Sequence, residues 1–523
     1  MEARRYSTNR SRRAACGWAA ALACALLPGA DEARSSDNRL NVRFSNVTPA
    51  PRDGKTATVT FDITWEDSWR HEINHDAAWV FFKMRAAGAT EWRHVRLAAD
   101  RVLNPTGYGQ QKTRPPRGGA APFHFPMQTR PRRKENPESH PDSFAAAEAG
   151  GAKGADTPLE FIVPDGDDGF TGLFVRRAMN GAGTTRAHKV TVVLDLTAVR
   201  GIADIRKAQI RAFGVQMVYV AEGPFYLGSG GVEVYAFHTY IDGVRNTQPY
   251  RVTGPGAIPT GRQKDRLWAW KSAQPEDGGE IPASFPNGYA AFYCMKCLIL
   301  PGQYVDFLST LTGRQAKARY NEHVVKRTGR SPNYTYSGVP VGIRLGPGCM
   351  GLSWADGATF AAWAALRPMT ELECEKMLRG PCEPIPDEVG PSYWGVKGLG
   401  TYDWDSYKGH NHSVERVVTV GDTAGRRFKG THGRGTPTLP ADWPQEDAVG
   451  AGMRCSWFTP GRGLDLPRTR MSDRFLAAAV IAERRREYRW RGVRTAPKGV
   501  GPQLSKRSVA SARQPHDVDK QRD

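Results

Sequence analysis

Apolar and polar positions along the chain alternate with period two in several short stretches, and only later settle into helical spacing. Residues 56–63 (TATVTFDI), much of 78–84 and residues 189–196 (KVTVVLDL) read as half-buried strands. Short strands separated by turn residues predict a β-sandwich over residues 38–212. A Pro-, Gly- and Arg-rich stretch, 104–157, interrupts it and is expected to be a disordered basic insert. A second unit begins at residue 213. In it, Pro301 opens a helix over 302–308, and residues 354–366 are Ala-rich with apolar positions at helical spacing. Thr370 and Glu373 form a capping box for a third helix. The fold class expected is α+β, with a loop-rich second unit over 213–497 and a disordered basic tail over 498–523.

Composition agrees with a turn-rich chain. The 523 residues include 56 Gly and 37 Pro, and 40% are apolar against 24% charged, which excludes a wholly disordered chain and a polytopic membrane protein. The net charge is +20, but residues 1–30, 112–134 and 483–523 carry +4, +7 and +7 of it. A leader, an insert and a tail are not a folded basic face interleaved with base-reading groups, so no nucleic-acid partner is expected.

Residues 1–30 have the layout of a signal peptide. Basic residues ending at Arg12-Arg13 precede an Ala/Leu-rich run from Ala14 to Leu27, too short to span a bilayer, followed by Pro28-Gly29-Ala30. Ala21-Leu22-Ala23-Cys24 is a weak lipoprotein box, so cleavage and lipid anchoring both stay open. No later stretch predicts a transmembrane segment. The expected location is exported: periplasmic, cell-envelope or secreted. Of eight cysteines, Cys374 and Cys382 could close a small disulfide loop, and Cys294 and Cys297 form a CxxC in an apolar run, expected to pack half-buried.

An ordered series of segments in the second unit resembles the formylglycine-generating enzyme (sulfatase-modifying factor) family. The series runs through 217–228 (MVYVAEGPFYLG), 302–308 (GQYVDFL), 352–358 (LSWADGA), 366–373 (LRPMTELE), 470–474 (RMSDR) and 491–494 (RGVR). Residues 68–70 (SWR) and 76–82 (DAAWVFF) resemble an accessory domain that precedes such domains in exported bacterial proteins. The resemblance implies a C-type-lectin-like fold for 213–497.

It also implies a chemistry and a site. Enzymes of the family oxidise a substrate cysteine with oxygen and a copper ion held by two thiolates, a soft pair suited to Cu(I). Here the family turn is represented by Met453-Arg454-Cys455-Ser456-Trp457. The two thiolate positions fall on Thr459 and Leu464, and no cysteine follows Cys455. Neither a hydroxyl nor an isobutyl group replaces a thiolate, so formylglycine generation by this route is not expected. No catalytic residue is assigned, and copper and calcium enter by resemblance alone. Glu415 keeps a carboxylate of the family's calcium-supporting turn, but the upstream ligand position is Lys408. The expected role is a protein- or glycan-binding module, with Cys455, Ser456, Trp457 and Arg474 at the old substrate groove. The alternative is a metal-dependent oxidoreductase using other ligands, such as His410, His412, Glu415 or Cys455.

One local signal competes. His71-Glu72-Ile73-Asn74-His75 matches HExxH, the zinc-peptidase motif that needs a helix to align its histidines. It lies between two strand patterns, so a surface turn is expected there instead. The tryptophans at 354, 363, 394, 404, 443, 457 and 490 are expected mostly in the core, some of them lining a groove.

Overall fold

A computed structural model describes residues 41–72, 74–103, 156–164, 170–199, 202, 204–233, 235–241, 246–269, 279–328, 334–336, 348–388, 392–398, 414–454, 470–485 and 488–501. The expected signal peptide, basic insert and basic tail lie outside these, apart from the last residues of the insert and the first of the tail. Strands predominate and the helices are few and short, so the chain is β-rich.

The first strands are β1 (Arg43–Pro51), β2 (Thr56–Arg70), β3 (Asp76–Arg85), β4 (Arg93–Leu103), β5 (Leu159–Ile162), β6 (Leu173–Arg177), β7 (Gly181–Asp195) and β8 (Gln209–Val220). In β2 the period-two pattern puts Ala57, Val59, Phe61, Ile63 and Trp65 on one buried face. Its pairing with β7 slips between Phe61 and Ile63. There Lys189 adopts φ 53°, and its N–H donates to Asp62 Oδ1 at 2.8 Å, which ties down the bulge.

β3 is buried along almost its whole length, for a specific reason. Its residues Ala78, Val80, Phe82 and Met84 face a core shared with β2 and β7. Ala77, Trp79 and Phe81, on the opposite face, belong to a second and larger core. A strand apolar on both faces must be covered on both. β3 pairs with β8 over ten residues, from Asp76↔Val218 to Arg85↔Gln209.

β8 carries the sheet onward, so residue 213 sits inside a strand. Its last residues pair with β9 (Phe292–Met295), which pairs in turn with the late strand Gly492–Thr495. Before that late strand come β10 (Arg367–Pro368), β11 (Val414–Val418), β12 (Ala451–Arg454) and β13 (Tyr488–Arg489), which makes Gly492–Thr495 β14. The long sheet has the order β1-β2-β7-β4-β3-β8-β9-β14-β10, with β6 also on β3 and β5 on β6. A separate small sheet has the order β12-β11-β13.

Among the described residues, helices α1 (Pro301–Ser309), α2 (Gly313–Arg319), α3 (Trp354–Trp363) and α4 (Glu371–Arg379) pack on this frame, followed by a single helical turn, α5 (Thr423–Arg426). α3 is buried on every side, and Ser353 caps it by accepting from Asp356 N–H. Gly357 is required there, because a Cβ would lie 2.0 Å from the Trp490 ring. The indole N–H groups of Trp354, Trp363 and Trp394 donate to Pro444 O, Thr310 Oγ1 and Lys376 O. These buried tryptophans are core with satisfied polar edges, as are Trp443 and Trp79. No helix among the described residues is long and apolar enough to cross a membrane.

Candidate functional site

α4 begins where its sequence says it should. Thr370 accepts from Glu373 N–H at 3.1 Å, and the Glu373 carboxylate reaches back to Thr370 N–H at 3.0 Å. Residues four apart share a helix face, so Glu371, Glu375 and Arg379 line up along α4. They meet side chains from both ends of one chain segment, Arg454 at the end of β12 and residues 470–474.

The result is a closed ionic lattice. Arg474 grips Glu371 with Nε and a terminal nitrogen at 2.8 and 3.1 Å. Arg454 donates to Glu375 at 3.2 Å and lies 3.5 Å from Glu371. Arg379 reaches Glu375 at 3.1 Å and Glu388 at 2.5 Å, and donates to Ser472 Oγ at 2.6 Å. Three guanidinium groups thus face three carboxylates, all buried. Burial alone would raise the Glu371 carboxyl, but Arg474, Arg454 and the Val420 N–H hold it below its ordinary value. Glu375 is likewise held down, against burial, by Arg454 and Arg379. At Glu388 burial wins over Arg379 and raises the carboxyl, so the two carboxylates held firmly charged are Glu371 and Glu375.

Of the residues expected at a groove, only Arg474 is described. Cys455, Ser456, Trp457, Thr459 and Leu464 lie outside the described residues. The residues on either side of that stretch are fixed: Arg454 and Arg474 by the lattice, Met471 N–H by Glu388 O at 2.9 Å, and Arg470 by Asp387 at 2.7 Å. Arg474 itself is fully buried, its guanidinium 3.6 Å above the Phe237 ring.

Glu415 stands opposite Arg454 in the β11–β12 ladder. Its two oxygens receive Arg491 at 2.7–2.9 Å, and Arg491 also donates to Met295 O and Lys397 O. A carboxylate spent on a buried guanidinium does not fit a calcium ligand, which needs further oxygens around a hard cation. His410, His412 and Lys408 lie outside the described residues. Among the described residues, no group of three or more His, Cys, Asp or Glu side chains is arranged to hold a metal ion.

The HExxH segment is a turn between β2 and β3, closed by an Arg70↔His75 bridge. The turn does not leave its second histidine on the surface. His75 is buried, stacks on Tyr219 with ring centroids 4.8 Å apart, and meets Tyr293 Oη at 2.9 Å. The CxxC is buried too, not half-buried: burial pushes the Cys294 thiol up to about 12, and Cys297 borders a cavity of about 10 Å³. Cys374, inside α4, and Cys382 are not joined in a disulfide, so the small loop is not bridged.

Sequence reasoning missed the lattice. The signal was present as carboxylate, carboxylate and guanidinium at 371, 375 and 379, a spacing normally read as a solvated face. Compared with protein-family models and with curated proteins, the chain matches none.

Proposed function

We propose that the chain is an exported protein- or glycan-binding module. Its second unit is formylglycine-generating-enzyme-like with a C-type-lectin-like fold, preceded by a β-sandwich accessory unit, and it lacks copper-dependent formylglycine generation. The observation that carries this reading is the lattice around α4. It fixes both ends of the stretch bearing Ser456 and Trp457, and its Glu371 and Glu375 are held ionised against arginines. Groups locked this way neither take up nor release protons near neutral pH, so they suit a frame that presents a recognition loop. The thiolate positions of the family fall on Thr459 and Leu464, which supports the loss of the copper chemistry.

The test uses the purified full chain. Oxygen uptake with a cysteine-containing sulfatase peptide, with and without added copper, is expected to stay at background, with no aldehyde on the peptide. Binding to arrays of glycans and envelope-protein peptides is expected to be lost in Trp457→Ala. Stoichiometric copper or iron in the protein, or aldehyde on the peptide, overturns the reading in favour of a metal-dependent oxidoreductase.

A further inference from the structure

A second polar cluster lies away from α4, where β5, β6, β8 and β9 meet the turn before β3. Glu160 on β5 accepts from Arg176 on β6 at 2.9 and 3.1 Å, and from Arg70 at 2.8 Å. Two guanidinium groups therefore share one carboxylate, unlike the three-against-three lattice around α4. Glu222 also acts on the neighbouring Tyr219.

Arg176 has one terminal nitrogen turned away from Glu160. That nitrogen meets His75 Nε2 at 3.0 Å and the Val500 carbonyl at 2.8 Å. Arginine can only donate, so His75 Nε2 accepts and the ring carries its proton on Nδ1. Burial, with Arg176 and Arg70 nearby, keeps the imidazole neutral and leaves it unable to offset the cation. Beyond Glu160, the Arg176 cation is met only by uncharged groups, the Val500 carbonyl, the His75 ring and the Tyr293 hydroxyl.

That carbonyl belongs to a thin cover. After β14 the chain donates from Ala496 N–H to Ala291 O at 3.0 Å, runs through exposed Lys498 and Gly499, and returns at Val500 and Gly501. Gly501 lies directly on Tyr219: a Cβ there would be 2.4 Å from its ring. Such a strap is an element of low local stability, since few of its backbone groups are tied to the body.

We propose that Arg176, backed by His75, Tyr219 and Tyr293, is a binding site for a carboxylate group, occupied in cis by the chain's own Val500 carbonyl. A carboxylate in that place makes a charge-assisted bond where the carbonyl makes a weaker one, and neutralises the surplus cation. Small organic acids and peptide C-termini share this chemistry. The site sits on other strands than the α4 lattice and does not rest on the binding-module reading.

Gly501→Val in the full chain pries up the strap without removing any of the site. Sodium acetate is titrated against a sodium chloride control of equal ionic strength. The pentapeptide Ala-Pro-Lys-Gly-Val, matching residues 496–500, is titrated as the free acid and as the amide. Acetate is expected to bind Gly501→Val about ten-fold more tightly than the unsubstituted chain, about 1.4 kcal/mol. The gain should vanish when Arg176→Gln is added. Arg176→Lys, which keeps the buried charge but loses the fork to Glu160, should weaken the gain and guards against loss of the fold. Free-acid peptide exceeding both acetate and its amide assigns the site to peptide C-termini; acetate equalling the peptide assigns it to small acids. Acetate and free-acid peptide binding Gly501→Val no better than the unsubstituted chain, or binding unaffected by loss of Arg176, overturns the proposal. Gly501→Ala, a smaller wedge, carries the same test if the valine variant does not fold.

Discussion

Arg491 on the last strand turn and Glu415 on β11 form a fork in which the carboxylate accepts three hydrogen bonds, none longer than 2.9 Å. Both side chains are wholly buried. Removing one partner strands the other in a medium that solvates charge poorly. Glu415→Gln is therefore expected to lose about 3–5 kcal/mol of stability in urea denaturation, and the pair Glu415→Leu with Arg491→Met to regain most of it. A loss below about 1 kcal/mol for the single variant would mean that the fork behaves like a surface pair.

Gly357 makes a sterically sharper case. The Trp490 ring occupies the space a Cβ would take, and α3 has no solvent face toward which to slide. Gly357→Ala should cost about 1–3 kcal/mol through overpacking, with a change in near-UV circular dichroism as the indole is displaced. An unchanged Tm with an unchanged tryptophan signal would contradict the packing described for α3.

The lattice around α4 gives the protein an acid limit. Glu371 and Glu375 have folded-state values below 4.5, so the unfolded chain binds their protons first as pH falls. Their contribution is present above about pH 4.5 and is lost as pH drops through the folded values. Glu371→Gln should be less stable than the parent at pH 7 and lose less stability on acidification. Tm measured from pH 7 to pH 3 checks this; parallel curves for the two proteins would refute it.

Lys376 works in the opposite range. Burial brings its ammonium down to about 7, opposed by Glu373 and Glu222, while it donates to Gly288 O and Tyr289 O. The unfolded chain holds this proton up to about 10.5, so Lys376 makes stability rise with pH between about 7 and 10.5. Lys376→Met should flatten that rise in denaturation midpoints taken at pH 7, 8.5 and 10. A rise as steep as in the parent would show that some other group causes it.

His238 adds a third window. Burial lowers its imidazole to about 4, with Arg474 adding to the effect, so stability falls as pH drops from about 6.5 to about 4. His238→Gln should remove that part of the slope and leave the deeper acid loss in place. Stability followed across the two intervals separately distinguishes them.

What the sequence made legible was local. Thr370 and Glu373 announce α4 because a capping box is read within four residues, and Pro301 announces α1 for the same reason. The strands over 56–63 and 189–196 were visible by alternation, though β2 and β7 run longer than either pattern. The pairing of β3 with β8 was not visible, because register between strands about 130 residues apart leaves no short-range trace. The HExxH turn shows a related gap. Its strand context ruled out the helix, but the burial of His75 depends on Tyr219 and Tyr293, which no local pattern connects to it. The ionic lattice was hidden for the opposite reason, since charged residues at helical spacing are usually solvated.

β3 serves as a party wall, with a hydrophobic room on each side. Taking away residues 38–212 would tear out that wall together with the start of β8, leaving the six β8 residues 213–218 without their partners and an open edge suited to gluing one molecule to the next. The two halves of this chain would be poor candidates for separate production or for shuffling into other proteins, whatever their sequences suggest about modularity.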